Sequence, residues 1–181
     1  MKKFVKDKSA NVLNFLAMNR IVSQFATPDE FTGSMPALNI SNATFADFFN
    51  ALNDAGASYM AIGHLAVAYH GYPMACANIE LWLSSEEGNL SKIRQVLDFW
   101  IDLNMEEHPI TYGGESFQLS TFTDLAYHSA IDFDKCFANS VKALVCDAEI
   151  PIIGLQDLIK EKMSKPCPEN IKMLNILDPG I

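Results

Sequence analysis

The chain has 181 residues, enough for one well-cored domain with an appendage and too few for two large ones. With 49% apolar and 19% charged residues, its composition is that of a globular protein and not of a disordered one. The net charge is -9, and four of the 13 basic residues are crowded at Lys2, Lys3, Lys6 and Lys8, which argues against a nucleic-acid-binding face.

The lysine-led start does not read as a secretory signal. Its apolar run is broken at Asn14 and at Asn19-Arg20, and no convincing small-residue cleavage site follows. No stretch approaches the ~18 apolar residues of a membrane span. Cys76, Cys136, Cys146 and Cys167 are scattered without a C-x-x-C pair, as expected of small buried thiols in a reducing compartment. A cytoplasmic protein without membrane association is the expectation.

In chain order, Val12, Phe15, Leu16, Ile21, Val22 and Phe25 space an irregular amphipathic helix over 10–25. Residues 27–42, with Pro28, Gly33 and Pro36, read as a linker, so residues 1–40 form an extension and 41–181 the main domain. A helix follows, capped by Ser41, Asn42 or Thr44, striped by Phe45, Phe48, Phe49 and Leu52, and stopped at Gly56. Residues 58–62 read as a buried strand ending at Gly63, and 65–70 as a short helix closed by Gly71 and Pro73. Asn78 to Leu83 alternates as a strand, with Ile79, Leu81 and Leu83 on one side.

A helix over 87–101, a turn at Tyr112-Gly-Gly114 and a strand over 116–122 come next. The rest reads as a short helix over 133–140, strands over 141–145 and 150–153, a helix beginning near Leu155 and another opening at Pro168. The order predicts an α/β (α+β) fold, a small mixed sheet with helices packed against it. There is no internal repeat.

A strand, a glycine turn, a short helix and a second strand make a mechanically sensible phosphate cradle. The glycine lets backbone N–H groups face a ligand, and the helix adds its positive end. Asn78 and Glu80, two apart on the second strand, share a face at roughly 6.6 Å along it. Two carboxylates so placed hold Mg²⁺ against a triphosphate, because hard cations take oxygen ligands.

The stretch "SYMAIGHLAVAYHGYPMACANIELWL" (58–83) resembles the nucleotidyltransferase superfamily, the DNA polymerase β-like fold. It is most similar to the small bacterial branch associated with abortive-infection and toxin–antitoxin systems. Gly63 stands where that family has its first glycine, His70-Gly71-Tyr72-Pro73 matches intact, and Asn78 and Glu80 fall on its paired aspartates. "IPIIGLQDLIKEKMSKPCPENIKML" (150–174) is similar to the family's later strand and helices, with Lys162 on its lysine and Pro168 in place. The resemblance spans about 45–177.

Several residues depart from the family. His64 replaces the small second residue of the turn, Met74 and Cys76 replace Arg and Thr, and Cys167 and Asn170 replace Arg and Asp. Asn78 replaces the first aspartate. For the third carboxylate two placements compete. "LSTFTDL" (119–125) fits the family context better and sets Ser120 there, whereas "AIDFD" offers Asp132; Asp124 is a further rescuer. With Asn78, Glu80 and Ser120 as the triad, its formal charge falls from -3 to -1. An amide and a hydroxyl compete poorly with water for Mg²⁺, and neither is a base near neutral pH.

Each residue also has an ordinary reading. His70 and Gly71 suit a helix terminus. His64 either contacts a phosphate when protonated or plugs the pocket. Glu80 is a weak metal ligand or a paired strand glutamate, and Lys162 either reaches a phosphate or is an exposed helical lysine. His108 and His128 have no partner at ligand spacing.

The expectation is a nucleotidyltransferase-like protein with an eroded metal site, non-catalytic, retained to bind a ligand or a protein partner and needing no cofactor. The first alternative is an active Mg²⁺-dependent transferase that moves a nucleoside monophosphate from a triphosphate to a protein or small-molecule acceptor, through Glu80 and Asp132, with Asp124 as a further candidate. The second is an antitoxin-like module whose first 40 residues contact a toxin-like protein.

Overall fold

The structure, a computed structural model, describes residues 41–71, 78–97, 108–112, 114–123, 131–164 and 167–177. The extension read over 1–40, and Tyr72, Pro73, Met74, Cys76, Asp124 and His128, lie outside them.

Helix α1 (Asn42–Asp54) opens on the Ser41 hydroxyl, which accepts from the Thr44 N–H at 3.2 Å, one of the donors a helix start leaves unpaired. Its stripe of Phe45, Phe48, Phe49 and Leu52 is buried. The helix ends at Gly56 (φ +63°), where the Gly56 and Ala57 N–H groups turn back to the Asn53 and Leu52 carbonyls at 2.9 and 3.0 Å.

Six strands follow: β1 (Tyr59–Ala61), β2 (Ile79–Leu83), β3 (His108–Tyr112), β4 (Glu115–Phe122), β5 (Val141–Val145) and β6 (Ala148–Ile152). They form one mixed sheet in the order β3-β4-β2-β1-β6-β5. β1 is antiparallel to β2 and parallel to β6, while β2 is parallel to β4. Two antiparallel pairs, β3–β4 and β5–β6, close the ends. The β5–β6 hairpin turns on Cys146 and Asp147, both at positive φ (50° and 67°), the handedness that matches strand twist.

The remaining helices are α2 (Gly63–Tyr69), α3 (Glu87–Val96), α4 (Phe133–Ala138), α5 (Leu155–Ser164) and α6 (Pro168–Leu177). Register assigns the faces of the sheet. Tyr59, Leu81, Leu83, Phe117 and Leu119 lie on one side, where Phe49 meets Tyr59 and Phe48 meets Phe117 from α1. The opposite face carries Asn78, Glu80, Trp82, Ser120 and Phe122. Trp82 is buried there too, edge-on to Phe133 of α4 with ring centroids 5.4 Å apart, so the second face of β2 is covered and not solvated. No helix of the described residues is long and apolar enough to cross a membrane.

Strand β3 is absent from the sequence reading, which saw only the turn that follows it. Pro109 cannot donate to a ladder, and it is tolerated because β3 is an edge strand.

Candidate functional site

The site lies where β1 ends, β2 begins and β4 runs alongside. β1 leads directly into Gly63 at φ +58°, and α2 starts there. The Glu80 carboxylate sits against that turn so closely that a Cβ at position 63 would collide with it. Glu80 Oε1 accepts from the His64 backbone N–H at 3.3 Å and lies 2.8 Å from His64 Nδ1. The two side chains are 20% and 18% exposed, so the pair is largely shielded from water. The carboxylate thus occupies the place at the start of α2 that the sequence reading assigned to a phosphate.

One residue pair away, Asn78 Nδ2 donates to Ser120 Oγ at 2.7 Å, and Ser120 is register-paired with Glu80 across the parallel β2–β4 ladder. The structure therefore brings Asn78, Glu80 and Ser120 together on one face. Asp132 has another job. It is exposed, caps α4, and accepts from the Lys135 N–H at 3.1 Å. Asp124 is outside the described residues.

Lys162 corrects the reading of an exposed helical lysine, because it is only 8% exposed. Its ammonium is 2.9 Å from a Glu161 carboxylate oxygen. The signal was available in the sequence: Lys162 lies three, four and seven residues after Ile159, Leu158 and Leu155, on the face those residues mark. Glu161 was missed altogether, since an acid beside a lysine on a helix looks like ordinary surface.

Burial alone would push the Glu80 carboxyl up. The hydrogen bond and charge of His64, followed by the charge of Lys162, outweigh it and hold the group below its ordinary value. His64 Nε2 is buried without a hydrogen-bond partner among the described residues. His70 caps α2, and its Nε2 lies 2.8 Å from the Ile153 carbonyl, tying the end of α2 to the junction between β6 and α5.

These residues do not fit a pair of Mg²⁺ ions. The one carboxylate of the triad is held by His64, the amide and hydroxyl are bonded to each other, and an ammonium acts on the carboxylate. A divalent ion would have to displace these contacts and still lose most of its water for neutral ligands. Among the described residues no group of three or more His, Cys, Asp or Glu side chains is placed to hold a metal.

No family model matches the chain, and no curated protein does. Among solved structures the chain is similar to an antigenic nucleotidyltransferase-like protein from Paracoccidioides brasiliensis. The TM-score is 0.55 at 12% identity, over 80% of this chain and 78% of that one. The likeness shows the fold: this chain has a nucleotidyltransferase-like fold.

Proposed function

We propose that this protein is a nucleotidyltransferase-fold pseudoenzyme, retained to bind a ligand or a protein partner and not to transfer a nucleotide. One observation carries the reading. Glu80, the acid left at the triad positions, is turned back onto Gly63 and His64 and fills the turn where a phosphate would approach. Two-metal phosphoryl transfer needs carboxylates free to hold ions and to help activate the attacking hydroxyl. Here the residues at the other two positions, Asn78 and Ser120, are an amide and a hydroxyl bonded to one another.

The sequence resemblance to the small bacterial abortive-infection branch supports a toxin-like protein as the partner class, with residues 1–40 as the contacting segment. Co-purification of a native partner with the full chain, lost on deleting 1–40, supports that assignment; retention after the deletion removes the segment from it.

Isothermal titration calorimetry of the full chain with Mg²⁺ and each nucleoside triphosphate tests the catalytic question. The expected outcome is no Mg²⁺-dependent binding. Tight Mg²⁺-dependent binding abolished by Glu80→Ala overturns the pseudoenzyme reading in favour of an active transferase.

A further inference from the structure

Away from the Glu80 centre, Ala43, Ala46 and Asp47 of α1 and Leu144, Cys146 and Asp147 of the β5–β6 hairpin line a groove of about 580 Å³. The alanines let another chain come close, and Leu144 stands 58% exposed on β5, the open edge of the sheet. Asp47 and Asp147, both exposed, put an acid on each wall. Such a lining suits a segment that is apolar and basic, and the chain contains one. Residues 1–25 carry Lys2, Lys3, Lys6, Lys8 and Arg20 against the one acid Asp7, together with Val12, Phe15, Leu16, Ile21, Val22 and Phe25. Of the 22 acidic residues 19 lie after residue 40, against eight of the 13 basic ones, so the rest of the protein repels a second copy and attracts this segment. Residues 1–40 lie outside the described residues, and the chain enters them at Ser41, beside the groove wall at Ala43. Residues 26–40 extend to about 50 Å, more than twice the ~20 Å length of α1, so the segment reaches the groove of its own chain.

We propose that residues 1–25 pack into the groove between α1 and the β5–β6 hairpin of their own chain, lysines against Asp47 and Asp147 and apolar residues against Ala43, Ala46 and Leu144. The tether makes the contact intramolecular, at an effective concentration on the order of millimolar, so weak individual contacts suffice. The inference goes beyond the pseudoenzyme reading and does not rest on it. It also carries a regulatory consequence. A partner that binds residues 1–40 has to lift them from the groove, and doing so uncovers Leu144 and the edge of β5.

Two measurements on the full chain test it. The first is carbodiimide coupling, which joins a lysine to a carboxylate in contact with it, on a mixture of isotope-labelled and unlabelled protein. Coupling of Lys2, Lys3, Lys6 or Lys8 to Asp47 or Asp147 within one chain is expected. No such product, or products only between differently labelled chains, overturns the proposal. The second is alkylation of Cys146, which lines the groove, with Cys136, 2% exposed, as the reporter of unfolding. Phe15→Ser/Leu16→Ser removes apolar contacts without changing charge, and should make Cys146 react about tenfold faster than in the parent while Cys136 stays unreactive. An unchanged Cys146 rate overturns the proposal. If Cys136 reacts as well, the variant has unfolded, and Ile21→Ser/Phe25→Ser is judged by the same criterion. The two readings fail separately. Neither measurement involves Glu80, so failure here leaves the pseudoenzyme reading standing, and Mg²⁺-dependent triphosphate binding sinks that reading alone.

Discussion

Substituting Gly63→Ala probes the contact on which the site reading turns. Two costs add. At φ +58° an L-residue meets its own carbonyl, a penalty of about 1–2 kcal/mol. The new Cβ also evicts the Glu80 carboxylate from the turn. That breaks its hydrogen bonds to His64, and bonds to a charged group contribute about 1.5–3 kcal/mol. The sum is about 2.5–5 kcal/mol, a large fraction of the roughly 5–15 kcal/mol that holds a domain folded. In urea, with a slope of about 2 kcal/mol/M, the unfolding midpoint should fall by about 1–2.5 M. A double-mutant cycle separates the terms. In a Glu80→Ala background only the backbone penalty remains, so the coupling energy between positions 63 and 80 should be about 1.5–3 kcal/mol. A Gly63→Ala protein within about 1 kcal/mol of the parent, or a coupling below about 0.5 kcal/mol, would refute the claim that the carboxylate is seated in the turn.

Three further outcomes follow from the same geometry. The Glu80 pKa is lower in the folded chain than its ordinary value of 4.5, so the unfolded chain binds more protons below that value. The stability contributed by ionised Glu80 is therefore complete above about pH 4.5 and lost as pH falls through the folded value; the parent's advantage over Glu80→Gln in urea midpoint should shrink on acidification, and a constant gap contradicts it. Ser41→Ala removes the cap of α1 and should cost about 1 kcal/mol by urea unfolding, with Ser41→Asp close to the parent. Asn78→Asp with Ser120→Asp places two more negative groups beside Glu80, one of them at a position only 3% exposed; the variant should lose about 2–4 kcal/mol in chelator and regain part of it in Mg²⁺, an effect the parent should lack.

Much of the fold was legible because its signals are local. The Phe45–Leu52 stripe and the Gly56 stop depend on spacings within one helix, and the structure keeps both and selects Ser41 as the cap from Ser41, Asn42 and Thr44. Alternation along Ile79–Leu83 gave the right faces, and Ile79, Leu81 and Leu83 are buried. Strand β3 was illegible for the converse reason. Pro109 speaks against a strand, and only pairing with β4 at the sheet edge makes it acceptable.

At the site, local sequence marked Gly63, Asn78 and Glu80, because a turn glycine and two residues on one strand face are fixed by neighbours in the chain. It left the third position open between Ser120 and Asp132. The choice depends on which strand lies beside β2, and the β2–β4 register sets Ser120 against Glu80 while Asp132 starts a helix.

The charge state of the centre was decided by tertiary structure alone. Sequence determined that positions 78, 80 and 120 hold an amide, an acid and a hydroxyl, since residue identity needs no fold. Whether that acid faces water, a metal or the protein's own groups depends on atoms 16 and 82 residues away, at His64 and Lys162. Electrostatic partnership falls off with distance in space, and chain separation carries no information about it. Folding brings α2 and α5 off the same end of the sheet. That shared departure makes a bulky histidine the direct partner of Glu80 and lets the charge of an exposed-looking lysine lower its pKa.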